Sequence, residues 1–122
     1  MDRITLLYTT WPDADTAETA ARAVVGEGLA ACANILGGGV SVYRWEGAVE
    51  RAAETVMILK TGATAAPALR DRITELHPYD LPAVIALPVE PSASSAAFLA
   101  WVEQESVSAV EGRSTKDTPQ PK

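Results

Sequence analysis

Ser41-Val42-Tyr43-Arg44-Trp45-Glu46-Gly47 leads, through Ala48 to Glu54, into Thr55-Val56-Met57-Ile58-Leu59-Lys60-Thr61. Val, Ile, Thr, Tyr and Trp suit a pleated, half-buried surface, and a Glu-Gly pair between two such runs supplies turn chemistry. The stretch therefore predicts a β-hairpin whose arms are neighbours in a sheet. Just upstream, Ala31 to Leu36 and Val40 to Trp45 are strand-like runs separated by Gly37-Gly38-Gly39. Three glycines permit a bulge, a kink or a loop and do not choose among them.

Working outward, Ile4 to Thr10 is a β-rich run closed by Pro12 and Asp13. Ala17, Ala20, Ala21, Val24 and Val25 then recur at helical spacing, with Asp13, Asp15 or Thr16 available as N-cap and Gly28 as the stop. A second amphipathic helix is marked by Ala66, Leu69, Ile73 and Leu76 and is stopped by Pro78 after His77. Pro82 to Val89 predicts a strand that, by Pro88, either lies at an edge or ends near there. A last helix, opened by Ser92 or Ser94, carries Phe98, Trp101 and Val102 on one face. The order is strand, helix, strand, strand, helix, strand, then an added C-terminal helix: an α+β, ferredoxin-like (split βαβ) sandwich. Residues 1–106 are expected to form this domain, and 107–122, without apolar period, a flexible C-terminal tail.

The 122 residues carry 10 Lys and Arg against 16 Asp and Glu, a formal charge of −6. This balance argues against nucleic acid or an anionic membrane as partner. No apolar stretch reaches the roughly 20 residues needed to span a bilayer, and no export signal is read at the N-terminus. Cys32, the single cysteine, cannot form an intrachain disulfide and fits a reducing compartment. A cytoplasmic location is expected.

No phosphate loop, dinucleotide fingerprint, zinc-protease helix or serine elbow is present, so an enzyme is not expected. Cys32 reads either as a small hydrophobe in the core or as a soft-metal ligand. His77 suits a helix C-terminus as well as it suits a metal. One Cys and one His do not complete a tetrahedral site, so carboxylates or a second subunit would have to contribute. Three Trp and three Tyr are many for so short a chain to bury alone, and interfaces favour them.

The segments LAACANI (Leu29 to Ile35), SVYRWEG (Ser41 to Gly47), ILKT (Ile58 to Thr61), HPYDLP (His77 to Pro82) and FLAWV (Phe98 to Val102) stand in register. Together, over about residues 4–105, they resemble the CutA divalent-cation tolerance family. The resemblance implies a homotrimer similar in architecture to PII-type signalling proteins. It also implies a role in tolerance of divalent cations, copper especially, with copper or another divalent cation bound and no obligatory cofactor. Cys32 and His77 match the family's proposed copper ligands, and Asp80 stands where a Glu is usual. Ala83 replaces a family glutamate, which removes one hard ligand. The alternative is a PII-like regulator whose intersubunit cleft, with Lys60, Tyr79 and Trp45 as contacts, binds a small anionic ligand or a partner protein.

Overall fold

The computed structural model describes residues 3–106, so the expected tail, 107–122, lies outside the described residues. The chain runs β1 (Ile4–Trp11), α1 (Ala14–Gly26), β2 (Cys32–Trp45), β3 (Ala48–Gly62), α2 (Ala66–Leu76) and β4 (Val84–Pro88). A 3-10 turn at Pro91–Ala93 then leads to α3 (Ala96–Glu105). The sheet is antiparallel in the order β2-β3-β1-β4, the arrangement expected of a split βαβ sandwich, with β2 and β4 at its edges.

Alternation along the strands sorts the two faces. Leu7, Trp11, Met57 and Leu59 are fully buried, and α1 (Ala17, Ala20, Ala21, Val24) and α2 (Leu69, Ile73) pack over them. Val25, placed by its spacing with the apolar face of α1, is instead 38% exposed. The other face is open except near Ile4, where α3 closes a smaller cluster of Ile4, Ala31 and Val102 flanked by Phe98 and Trp101. Asp13 caps α1 by accepting from the Thr16 N–H at 2.7 Å, and Gly28 takes the left-handed conformation just beyond its end. The cap of α3 is Ser95, not Ser92 or Ser94, because the intervening 3-10 turn takes up those residues.

The three glycines form a bulge inside one continuous strand. Leu36 pairs with Val56 and Gly39 with Glu54, so Gly37 and Gly38 together oppose Thr55. Gly38 has φ +79°, which only glycine takes freely. Because side chains alternate strictly, the extra residue inverts the facing of β2 beyond it. Ser41, Tyr43 and Trp45 consequently share the open face with Ala52 and Glu54, while Val40, Val42 and Arg44 turn to the helix-side face beyond the helices. The hairpin closes on two residues, Glu46 (φ 48°) and Gly47 (φ 83°), as a tight two-residue loop requires.

Candidate functional site

Pro78 disfavours helical geometry in the residue before it, so α2 stops and His77 turns extended, with ψ 137°. Its ring stacks on Trp11, centroids 4.1 Å apart. Trp11 is itself fixed, donating from Nε1 to Thr9 Oγ1 at 2.7 Å, and that hydroxyl donates to the Met57 carbonyl. His77 Nε2 lies 2.7 Å from the Thr10 carbonyl oxygen, and Nδ1 accepts from the Tyr79 N–H at 3.1 Å. A carbonyl only accepts, so Nε2 carries the proton and both ring nitrogens are engaged. His77 is buried, with 8% of its surface exposed.

From this anchor the chain swings Tyr79 and Asp80 round the end of the sheet to the open face. Tyr79 donates from its hydroxyl to Glu54 Oε2 at 3.0 Å, and Ser41 donates to the other oxygen, Oε1. Burial, and then the Glu54 carboxylate, push the Tyr79 phenol above its ordinary pKa, so it stays a neutral donor. Tyr43, Trp45, Glu54, Tyr79 and Asp80 line a concavity of about 410 Å³, with Thr10, Ala52, Leu81 and Ala83 completing the wall. The chain's departure at Ala83 thus lies in the wall of this concavity.

The structure brings some of the sequence-predicted residues together and separates others. Trp45, Tyr79 and Asp80 meet in the concavity. Lys60 does not, because it lies six residues along β3 from Glu54, about 20 Å at strand rise, with Nζ 5.4 Å from the centre of the Phe98 ring. Cys32 is half-buried rather than core, opposite Lys60 at the start of edge strand β2. His77 is tied to Thr10, whose partner on β3 is Val56, four residues from Lys60. That offset is about 13 Å along the strands, so Cys32 and His77 of one subunit do not share an ion. Among the described residues, no three His, Cys, Asp or Glu side chains cluster to hold a metal. Glu54 and Tyr43 were not singled out as site residues from sequence. Alternation on β3 could have flagged Glu54, but the facing of Tyr43 depends on the bulge.

A family profile described as "CutA1 divalent ion tolerance protein" matches residues 5–105. Protein CutA of Homo sapiens is 41% identical over 107 residues, 86% of this chain and 59% of the human one, so the chain spans little more than half of that relative. The divalent-cation tolerance protein CutA of Thermus thermophilus is 38% identical over 104 residues, covering 85% of this chain and 97% of its own. Its solved structure superposes with a TM-score of 0.80 at 36% identity, over 85% and 99% of the two chains. A structure from Archaeoglobus fulgidus, described as a periplasmic divalent cation tolerance protein CutA, gives 0.80 at 33% identity over 85% and 99%. No helix among the described residues is long and apolar enough to cross a membrane.

Proposed function

Because the chain belongs to the CutA1 divalent ion tolerance protein family, we propose that it acts in divalent-cation tolerance as a non-enzymatic, copper-binding homotrimer in the cytosol. The observation that carries the assembly is the far end of the hairpin. Val40, Val42 and Val49 are 51%, 69% and 69% exposed, and the register places all three on the helix-side face, past the last helix. Exposed valines beside an open strand edge, here interleaved with Arg44 and Arg51, are unfavourable in water and favour cover by another copy.

Cys32 is the soft ligand in this proposal. It sits on an edge strand where a neighbouring subunit can reach it, and a thiolate prefers Cu(I). His77 and Asp80 complete such a site only from another subunit, and His77 must first give up a hydrogen bond. Light scattering and Cu(I) titration of the full chain test the proposal, with wild type, Val42→Asp and Cys32→Ser compared. A trimer that Val42→Asp dissociates, and copper binding that Cys32→Ser weakens in folded trimers, are expected. A monodisperse wild-type monomer would refute the assembly, and unchanged copper affinity in folded Cys32→Ser would refute the ligand.

The second reading, a PII-like regulator, takes the concavity as its ligand site, but the charge of the wall opposes the anionic ligand. Its wall holds two carboxylates and, among the described residues, no Lys, Arg or His, so one subunit offers an anion no counter-charge.

A further inference from the structure

The concavity carries chemistry that metal tolerance does not use. Three aromatic side chains, Tyr43, Trp45 and Tyr79, line it together with Glu54 and Asp80. From this juxtaposition we infer that it binds a small organic ammonium cation. The inference rests on the reading of this concavity as a ligand site and is independent of copper.

The wall separates this ligand class from its competitors. Aromatic faces attract a cation that keeps an apolar shell and offer nothing to a hard metal ion, which takes six or more oxygens. Within one subunit an anion would meet two carboxylates without compensation. A surface meant only for a second copy would be depleted of charge at its centre, whereas this wall holds two carboxylates. The volume of about 410 Å³ falls within the range of small-molecule sites.

Glu54 is the key charge. It is half-buried, and hydroxyl donors on both oxygens hold it in place, yet each oxygen keeps a further lone pair. A carboxylate already fixed loses little side-chain freedom when a ligand arrives. Tyr79, donating to Glu54, is orientated by the same bond. Asp80, exposed on the rim, adds a second negative charge.

The test uses the full chain in its native assembly and follows the Trp45 indole N–H by NMR. Phenyltrimethylammonium is the probe, benzyl alcohol the uncharged control, benzoate the anionic control and Mn²⁺ the metal control. The ammonium is expected to bind about fivefold or more tighter than benzyl alcohol, and Glu54→Gln and Tyr43→Leu, which both keep the Trp45 reporter, to weaken it by roughly threefold to thirtyfold each. If a melting curve shows that either variant is unfolded, Asp80→Asn decides, with weakening of about twofold expected at that exposed site. Equal affinity for benzyl alcohol, or an Mn²⁺ response without an ammonium response, would overturn the inference. Preference for benzoate would overturn it while leaving a ligand site of opposite sign, and silence toward every probe would remove both.

Discussion

Replacing Gly39 with alanine probes the bulge that sets the facing of the hairpin. A Cβ there would lie 2.8 Å from the Glu54 carbonyl oxygen, a backbone atom with no rotamer to yield. Relief requires β2 and β3 to part at this pair, weakening ladder hydrogen bonds worth about 0.5–1.5 kcal/mol each. Overpacking of this kind costs about 1–3 kcal/mol, and we expect a total near 2 kcal/mol. At roughly 4–8 °C per kcal/mol for a domain of about this size, Tm should fall by about 8–16 °C. Gly37→Ala is the control, because Gly37 has no positive φ and its added Cβ meets nothing within 4 Å. It should stay within about 1 kcal/mol of wild type. Thermal unfolding by circular dichroism, at one protein concentration because assembly shifts apparent stability, makes the comparison. Equal melting of the two variants would refute the idea that close strand approach at Gly39 requires glycine.

Glu46→Asn should raise stability by about 0.5–1 kcal/mol in urea unfolding, since Glu46 holds a left-handed φ of 48° that asparagine tolerates better. His77→Ala should cost about 1–3 kcal/mol with no metal present, because it removes two hydrogen bonds and the stack on Trp11; a neutral result would free His77 for a purely metal-binding role. Asp13 has a pKa lowered first by the Thr16 backbone N–H and then by the Thr16 side chain. The stability it adds is therefore present above the ordinary carboxylate pKa of about 3.9 and lost as pH falls through the lower folded value, and Asp13→Ala should flatten that acid limb of a melting-against-pH curve. Removing residues 107–122 should leave melting and assembly unchanged if the domain ends at Ser106. That residue must stay, because its buried hydroxyl accepts from the Gly62 N–H at 2.9 Å and donates to the Val102 carbonyl.

The element order was legible because each element carries its own local signal: β-branched and aromatic runs in β1 and β3, period 3.6 in α1 and α2, and proline where α2 and β4 end. His77 before Pro78 was likewise legible as a helix terminus. The placement of Tyr43 and Trp45 was not. It depends on whether Gly37 to Gly39 insert one residue or two against β3, and glycine, having no side chain, leaves no pattern from which to count. Lys60 stands with Trp45 and Tyr79 only in the reading of an intersubunit cleft, and within one subunit position along a strand, at about 3.3 Å per residue, separates it from them. Pairing of Cys32 with His77 fails within one subunit for the same reason, since register is a tertiary property that neither residue encodes alone.

One further consequence links the two proposed ligand chemistries. An ion that took His77 Nδ1 as a ligand would displace the Tyr79 N–H that now donates to it. Tyr79 is also the residue whose hydroxyl donates to Glu54, so losing its backbone anchor would loosen the rim of the concavity. Nε2 offers no easier route, because its proton is committed to Thr10 on a central strand, behind the Trp11 ring. Metal ligation by His77 and an intact Glu54–Tyr79 rim are therefore alternatives in the same subunit. Cys32 stands at the other end of β2 from Tyr43 and Trp45, so copper held there, as proposed above, would lie away from the concavity.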